Sequence, residues 1–458
     1  MSPLLTPCSH AHPGRRVRPS WWGVAAIVVI ALVAQLGVPA PGASQPPAVT
    51  GGARGAPGGN PLPDLVVSPS GPLHRVSDAV SRARPGQRIV VRAGTYREPL
   101  IRIDRALTLE GEAGAVLDGS GQHTILEVAA DDVTVRGLTL RNTGPSQVDE
   151  RAGILVHDAR GCVVEKNRLE ETLFAIYLAK VQDCIVRDNV IRGHEAAQTV
   201  SGNGVHIWSS ERVQVLGNDI VGHRDGIYFE FVKHGRVVGN RSERSARYGM
   251  HFMFSDDCRY EGNLYRNNAN GIAVMYSNRV EMIRNRFEHN WGSAAYGLLL
   301  KDINDSRIEQ NLFLSNSVGL YLEGANRNLV VGNTFRGNGW ALKTLANAQG
   351  NQYERNVFES NAFDVGTNSR ANFSRFQENY WDRYRGYDLD RDGIGDVAHA
   401  PVRLFALVVE QSPPTLILLR SLLVDLLDLA ERVIPTLTPE TLLDERPLMK
   451  RPAEAPRG

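Results

Sequence analysis

Asparagine returns at a nearly constant interval through most of the chain, each time shortly after a β-prone run. Successive copies lie 22 to 29 residues apart. Repeats of about 20 to 50 residues are typical of solenoids, in which each unit packs on its neighbours. The period therefore predicts stacked coils. The repeated positions are Asn167, Asn189, Asn218, Asn240, Asn263, Asn285, Asn311, Asn333, Asn356 and Asn379.

A second element keeps the same phase as the asparagines: a small residue followed by a short apolar strand, as in GIYF at Gly226 and GMHF at Gly249. Each unit thus contains two or three short β runs separated by Gly and Asn. The Leu-x-x-Leu-x-Leu spacing of leucine-rich repeats is absent, which leaves an all-β parallel β-helix. Coils stack at about 4.8 Å, so side chains at one phase form ladders, and each Asn amide can bond the next.

The chain divides by composition into an exported leader, a linker, the repeats and a C-terminal part. Three arginines precede an apolar run and small residues, which is typical of a secretory signal, although an uncleaved membrane anchor remains an alternative. An amphipathic helix at residues 73–84 is predicted to cap the solenoid. The predicted segments are a signal peptide at 1–43, a Pro/Gly linker at 44–63, the β-helix at 64–381, a closing segment with an Asp-rich loop at 382–412, an amphipathic helical arm at 413–449 and a disordered tail at 450–458.

Charge and cysteine content exclude two classes of protein. The 51 Lys and Arg nearly balance the 50 Asp and Glu, so bulk charge does not favour nucleic acid as a partner. Four cysteines in so long a chain do not make a disulfide scaffold. Cys162 and Cys184 share one phase in adjacent coils, where a disulfide is allowed, but buried thiols are the preferred interpretation.

Two stretches outside the repeats carry a family resemblance: VSDAVSRARPGQRIVVRAGTYRE from Val76 and NYWDRYRGYDLDRDGIGDVAHAPVRLF from Asn379. Together with the repeats they resemble the NosD family, exported β-helix accessory proteins of nitrous oxide reductase maturation. The resemblance covers about residues 64–449 and implies a right-handed coil. It also implies a non-enzymatic periplasmic protein, held at the inner membrane by an ABC-type permease with its ATPase. The other implied partners are a copper chaperone and nitrous oxide reductase, and the implied cargo is copper or sulfur.

The outer face of the apolar strands offers a candidate copper site. The residue between the two core-facing apolar residues points outward, so His251 and Met253 lie on one face. Met275 follows one coil above Met253, at about 5 Å backbone spacing. Imidazole and thioether ligands suit Cu(I), and the resemblance supports a copper site there. The alternative is that these side chains pack under a loop or against a partner.

An Asp-rich run after the last repeat is a candidate calcium site. Asp388, Asp390 and Asp392 alternate before Gly393, as in a calcium loop, and Asp396 follows. Position twelve of that template is a histidine and no flanking helices are evident, so an EF-hand is excluded. A solvated turn that closes the solenoid is the alternative.

The segment between Pro414 and Pro435 is predicted to form a helix with a narrow charged arc and a wide apolar face. Its charges argue against a membrane span. We predict that the apolar face docks on the permease, the alternative being a cap over the last coil. A second short helix is predicted to start at Thr438. The predicted docking residues are Leu416, Leu419, Leu423, Leu426, Leu427 and Leu429.

A polysaccharide-binding or polysaccharide-modifying β-helix is the second hypothesis for function. Exposed aromatic rings along parallel strands could stack on sugars. A lyase or epimerase also needs clustered acid and base groups, and no outward Asp cluster is found on the strands. The candidate rings are those of Tyr177, Trp208, Tyr228, Phe254, Tyr276 and Trp291.

Overall fold

The computed structural model describes residues 62–146, 148–193, 201–369, 372–419, 421–433 and 442–452. The predicted signal peptide, nearly all of the predicted linker, the predicted helix at Thr438 and most of the predicted tail lie outside these ranges. The described chain is an all-β, right-handed parallel β-helix of about 13 coils, which confirms the predicted fold class.

Each coil contributes one short strand to each of three parallel sheets. Within the described residues the first sheet has 14 strands, the second 13 and the third 12. The first sheet comprises Leu65–Val67, Gln87–Val91, Leu107–Gly111, Thr134–Arg136, Val163–Glu165, Ile185–Arg187, Gln214–Leu216, Arg236–Val238, Arg259–Glu261, Glu281–Ile283, Arg307–Glu309, Leu329–Val331, Gln352–Glu354 and Arg375–Gln377. The second comprises Gly94–Tyr96, Ala115–Asp118, Thr139–Arg141, Arg168–Glu170, Val190–Arg192, Asp219–Val221, Arg241–Glu243, Leu264–Arg266, Arg286–Glu288, Leu312–Leu314, Thr334–Arg336, Val357–Glu359 and Tyr380–Trp381. The third comprises Ile101–Ile103, Leu126–Val128, Ala152–His157, Phe174–Ala179, Val205–Trp208, Asp225–Glu230, Tyr248–Met253, Asn270–Asn278, Tyr296–Asn304, Val318–Glu323, Trp340–Thr344 and Phe363–Gly366.

The predicted asparagine ladder runs in single file through the buried turn between the first and second sheets. In one coil, the backbone N–H and side-chain Nδ2 of Asn263 both donate to Asn285 Oδ1, at 3.1 and 2.9 Å. The same Nδ2 also donates to the Val237 carbonyl at 2.8 Å. Each amide therefore satisfies buried backbone groups of its own coil and of its neighbours, which an apolar side chain at this turn cannot do.

A second asparagine ladder, which the sequence analysis missed, occupies the turn between the second and third sheets. Asn316 N donates to Asn338 Oδ1 at 2.9 Å, and Asn338 N donates to Asn361 Oδ1 at 3.0 Å. Between the ladders the core is closed by Ile, Leu and Val, and in the upper coils by stacked aromatic rings. Phe313 and Phe335, for example, lie 4.6 Å apart between centroids and nearly parallel. These stacks add directional contacts to apolar burial.

The N-terminal end of the coil is covered by a helix at Val76–Arg82, shorter than the predicted 73–84. Val76, Ala79 and Val80 are buried against the first coils. The Glu98 carboxylate accepts the free helix N–H groups of Val76 and Ser77, at 2.6 and 3.0 Å. A carboxylate at a helix N-terminus is favourable because it satisfies otherwise unpaired donors.

The C-terminal end is closed by a segment that the sequence analysis assigned to the helical arm. Residues 442–449 lie across the last coil, where Asp444 and Leu448 form β-bridges with Phe376 and Tyr380. Asp444 Oδ2 accepts the side-chain Nδ2 of Asn379 and the indole N–H of Trp381, each at 3.0 Å. The asparagine ladder thus ends on a buried carboxylate, and the arm is shorter than predicted.

Three helical segments precede residues 442–449: Leu404–Gln411, the 3-10 helix Pro413–Leu418 and Leu422–Val433. Phe405, Ala406 and Val409 of the first segment form a small core with Phe363 of the last coil. Among the described helices, none is both long and apolar enough to cross a bilayer.

The described cysteines Cys162, Cys184 and Cys258 are free and buried, in agreement with the preferred interpretation. The Cys162 N–H donates to the sulfur of Cys184 at 3.3 Å, so the two are neighbours in adjacent coils as their phase predicts.

We predict that Asn263→Ala lowers the free energy of unfolding by roughly 3–5 kcal/mol, because it leaves several buried amide groups of adjacent coils unpaired. Thermal and urea unfolding of the exported chain measure the loss. Asn267→Gly, at an exposed left-handed position of the same coil, is the control and should change stability by less than about 0.5 kcal/mol. Equal effects of the two changes would contradict a stabilising ladder.

Candidate functional site

A cavity of about 560 Å³ opens on the outer face of the third sheet. Its size is in the range of small-molecule sites. The residues that line it come from four successive strands of that sheet, from the turns that precede two of them and from residue 150. They are Glu150, Tyr177, His206, Trp208, Arg224, Tyr228, Glu230, Arg247, His251 and Met253.

The floor of the cavity is a column of rings one coil apart. Tyr177, His206, Tyr228 and His251 are successive Cα partners in the third sheet. The His206 ring lies 4.6 Å from Tyr228, and Tyr228 lies 5.1 Å from His251, between centroids. The Tyr228 ring therefore separates the two imidazoles, and they cannot ligate one metal ion together.

His251 points outward, as predicted, but it is only 7% exposed because neighbouring side chains cover it. Tyr228 and Tyr248 pack on its ring. Its Nδ1 accepts a hydrogen bond from Arg247 Nη2 at 3.1 Å. Since guanidinium can only donate, the proton of the neutral ring is on Nε2. Nε2 is buried and has no hydrogen-bond partner among the described residues.

A buried ion pair between Asp225 and Arg247 lies next to the His251 ring. Asp225 is fully buried, and Arg247 donates to both of its carboxylate oxygens, from Nε to Oδ1 at 2.9 Å and from Nη2 to Oδ2. Burial alone would raise the pKa of Asp225, but the hydrogen bonds and charges of Arg247 and His251 hold that pKa below its ordinary value. Asp225 Oδ2 also lies 3.8 Å from His251 Nδ1. The carboxylate thus orients the Arg247 guanidinium and lies close to the His251 ring.

The second histidine of the column is a neutral side chain. Burial, with the charge of Arg224, lowers the pKa of His206 to about 3. Its Nδ1 lies 2.9 Å from the Asn203 side-chain amide, which holds the ring in place. A neutral imidazole contributes hydrogen bonding to the cavity without adding positive charge.

The methionines of the candidate copper site are neighbours in the same sheet. Met253 and Met275 are Cα partners in adjacent coils, and both are partly exposed. Met253 lines the cavity with His251, two residues before it on the same strand, whereas Met275 is not a lining residue and follows one coil further. Glu230 precedes Met253 in this column and Lys301 follows Met275. The structure therefore brings the three candidate ligands to adjacent positions.

Three exposed aromatic rings stand directly beside the methionines. Phe231, Phe254 and Tyr276 stack with centroids 5.2 and 5.0 Å apart and planes 12° from parallel. All three have a left-handed backbone, with φ between 48° and 55°, which is unusual for bulky residues. Stacking covers the faces between neighbouring rings, and the three side chains are still 40% to 50% exposed. A sugar-stacking role for Phe254 and Tyr276 stays a prediction.

The Asp-rich loop gathers three of its four candidate ligands. One oxygen from each of Asp388, Asp390 and Asp392 lies within 4.8 Å of the others. Asp396 is not in this group, and its Oδ2 accepts the Leu389 N–H at 2.7 Å. Asp388 and Asp392 also accept backbone N–H groups of the turn. The carboxylates therefore act as turn acceptors here, and calcium stays a prediction.

The predicted docking leucines divide into two groups. Leu419 and Leu427 pack against the small core around Phe363, as a cap would. The other predicted leucines are exposed, and Ile417 and Leu422 extend the exposed apolar surface. The C-terminal helices thus cover the last coil with one side and leave an apolar side uncovered. The exposed predicted leucines are Leu416, Leu423, Leu426 and Leu429.

Sequence reasoning missed three charged residues of the cavity, Arg224, Arg247 and Glu150. Arg224 and Arg247 occupy the same phase in adjacent coils. Each lies two residues before the repeated glycine of its strand, Gly226 or Gly249. That shared phase was the available signal. The position of Glu150 beside Tyr177 had no signal of this kind, because residue 150 belongs to a loop outside the repeat.

Comparisons with known proteins agree on both fold and family. Residues 194–386 match the family described as "Periplasmic copper-binding protein (NosD)". A protein of Pseudomonas aeruginosa named "Probable ABC transporter binding protein NosD" is 31% identical over 420 residues, which span 80% of this chain and 89% of that protein. A protein of the same name from Stutzerimonas stutzeri is 28% identical over 393 residues, spanning 79% of this chain and 86% of that one.

Among solved structures, the catalytic unit of a thermostable α-1,3-glucanase from Streptomyces thermodiastaticus superposes with a TM-score of 0.55. It is 12% identical, and the match covers 72% of this chain and 71% of the glucanase. At that identity the similarity concerns the β-helix alone.

We predict that Asp225→Asn lowers the free energy of unfolding by about 2–4 kcal/mol, because it leaves the partly buried Arg247 charge without its counter-ion. Asp257→Asn is the matched control: Asp257 pairs with Arg279 at the surface, at 2.6 and 2.8 Å, and its loss should cost less than about 1 kcal/mol. Urea unfolding of both variants measures the difference. Similar losses would show that the cavity pair has no special structural role.

Proposed function

Because this chain belongs to the NosD family, whose description is periplasmic and copper-binding, we propose that it receives copper on the outer face of its third sheet. We propose further that it passes the metal on while its C-terminal helices dock on an ABC-type transporter. In this role the protein catalyses no reaction. Copper is a cargo, bound and released, and the periplasm is where the exchange takes place.

The observation that carries the copper proposal is that three suitable ligands occupy adjacent positions, two of them lining the cavity and the third one coil beyond it. His251 and Met253 lie on one face of a strand, and Met275 is the Cα partner of Met253 one coil away. Thioether sulfur and imidazole nitrogen are soft and borderline ligands that favour Cu(I). Within the described part of the chain, His251 Nε2 is buried without a hydrogen-bond partner, and a buried polar atom of that kind is costly unless something binds it.

The hydrogen bonds of His251 suggest how metal binding is coupled to the site. Arg247 now donates to Nδ1, which leaves the ring proton on Nε2. Ligation through Nε2 requires the ring proton to lie on Nδ1, which is 3.8 Å from Asp225 Oδ2. Asp225 would then orient the ligand as carboxylates behind metal-binding histidines do. Copper binding and the Arg247 hydrogen bond therefore compete for the same imidazole.

The exposed side of the C-terminal helices supports docking on a membrane transporter. Leu422, Leu426 and Leu429 are 73%, 54% and 57% exposed, on a segment whose other side packs on the last coil. An apolar face of this kind, held on a rigid base, fits a hydrophobic partner. Two relatives are named as ABC transporter binding proteins, and we propose the permease subunit as the partner of this face.

The finer role we propose is maturation of nitrous oxide reductase. The resemblance of the N-terminal cap and of the closing segment to the NosD family supports it. A copper chaperone would supply the metal and the reductase would receive it, with the ATPase driving the exchange through the permease. Sulfur as an additional cargo is compatible with the same assembly.

We predict that the soluble exported chain binds Cu(I) in anaerobic competition titrations, and that Met253→Ala and Met275→Ala each weaken binding at least tenfold, since each removes one of few soft ligands. Met449→Ala is the control, because Met449 is a partly exposed methionine of residues 442–449, and it should leave the affinity unchanged. Unchanged copper binding in both site variants would refute the assignment of these ligands.

We predict that Leu422→Glu combined with Leu429→Glu abolishes co-purification with the permease and ATPase from membranes, because two charges would be buried in an apolar contact. Copper binding and thermal stability should be retained, since both leucines are exposed. Leu100→Glu is the control, because Leu100 is an exposed leucine at the opposite end of the solenoid. Retention of the double variant on the transporter would rule out docking through this face.

A further inference from the structure

The cavity described above contains more groups than a copper ion needs. Two candidate copper ligands, His251 and Met253, line the cavity, and so do Arg224, Tyr177 and Trp208. Its volume of about 560 Å³ is far larger than one metal ion requires and suits an organic molecule of one or two rings.

Two buried donors in the cavity lack acceptors. Arg224 Nε and His251 Nε2 are both buried and have no hydrogen-bond partner among the described residues. Arg224 also forms no ion pair within the described part of the chain. Guanidinium keeps its charge at every physiological pH and donates only, and the neutral His251 ring donates from Nε2. A ligand that satisfies both must bring acceptor oxygens and negative charge, as a carboxylate does.

The remaining lining groups match hydroxyl groups and a ring. The Tyr228 hydroxyl donates to Glu230 Oε2 at a long 3.3 Å, so both oxygens keep capacity for a further partner. Tyr177 adds a second phenol, and Trp208 adds an indole. Lys180 Nζ lies 5.7 Å from the Trp208 ring centroid. Phenols, a carboxylate acceptor and an amphipathic indole recognise the hydroxyls and apolar face of a sugar.

The charges are arranged in a way that fits one acidic group and several neutral ones. Arg224 precedes and Glu230 ends the strand Asp225–Glu230, so their backbones are roughly 20 Å apart. The second arginine of the cavity, Arg247, is already neutralised by Asp225. Arg224 is therefore the lining arginine that has no ion pair among the described residues, while the carboxylates of Glu230 and Glu150 can accept hydrogen bonds from hydroxyl groups.

We propose that this cavity binds an acidic sugar of the uronate class. Its carboxylate accepts hydrogen bonds from Arg224 and His251 Nε2, and its hydroxyls contact Tyr228, Tyr177 and Glu230. This binding goes beyond the copper function. The two ligands share His251, so copper and the uronate exclude each other, while Met275 serves only copper and Arg224 serves only the sugar.

The test is calorimetric titration of the soluble exported chain with digalacturonate, with its neutral counterpart galactobiose and with acetate at matched ionic strength. We expect digalacturonate to bind at least tenfold more tightly than either. Arg224→Gln should weaken digalacturonate binding at least tenfold while leaving Cu(I) affinity unchanged, and Met275→Ala should do the reverse. Saturation with Cu(I) should abolish digalacturonate binding.

Tyr228→Phe keeps the ring stack and removes one hydroxyl, so it tests the site without the risk that a charge change disturbs folding. It should weaken digalacturonate binding several-fold. Arg279→Gln, which alters a surface arginine outside the cavity, should have no effect. Equal affinity for galactobiose or acetate, or unchanged binding in both Arg224→Gln and Tyr228→Phe, would overturn the proposal. Loss of Cu(I) binding alone would overturn only the copper function.

Discussion

The hydrogen bonds between stacked asparagine amides are the constraint from which the rest of the structure follows. Each amide joins its own turn to the coils on both sides: Asn263 donates to the Asn285 side-chain oxygen in the next coil and to the Val237 carbonyl in the preceding coil. Backbone pairing alone sets the distance between coils. The ladder adds a fixed register, because a coil that slipped by one residue would leave buried amides and carbonyls unpaired. All outward side chains are consequently placed on a regular grid.

The candidate site depends on this regular spacing of outward side chains. Tyr177, His206, Tyr228 and His251 are distant in sequence and adjacent in space only because their coils are in register. Packing the rings into one column buries imidazole and phenol groups that water would otherwise satisfy. The buried Asp225 carboxylate neutralises Arg247, and two atoms of lining residues, Arg224 Nε and His251 Nε2, have no hydrogen-bond partner among the described residues.

Much of the architecture was predictable from the sequence, because a repeat converts linear spacing into spatial neighbours. The ladder from Asn167 and the pairing of Met253 with Met275 in adjacent coils both follow from phase alone. The burial of His251 did not follow, because it depends on Arg247 and Tyr248, whose side chains approach from the turn side. The position of Glu150 could not be predicted either, because a loop outside the repeat has no phase. The path of residues 442–449 was missed for a related reason: a single buried carboxylate at Asp444, not a periodic pattern, determines it.

The buried contact of Asp444 with Asn379 and Trp381 has a mechanical consequence for the C-terminal helices. The chain leaves the solenoid after Trp381, forms the helices and returns to the last coil at Asp444. The helical segment is therefore attached to the solenoid at both of its ends. A force on this segment would therefore be shared between two attachment points on the last coil, and neither point alone would carry the full load.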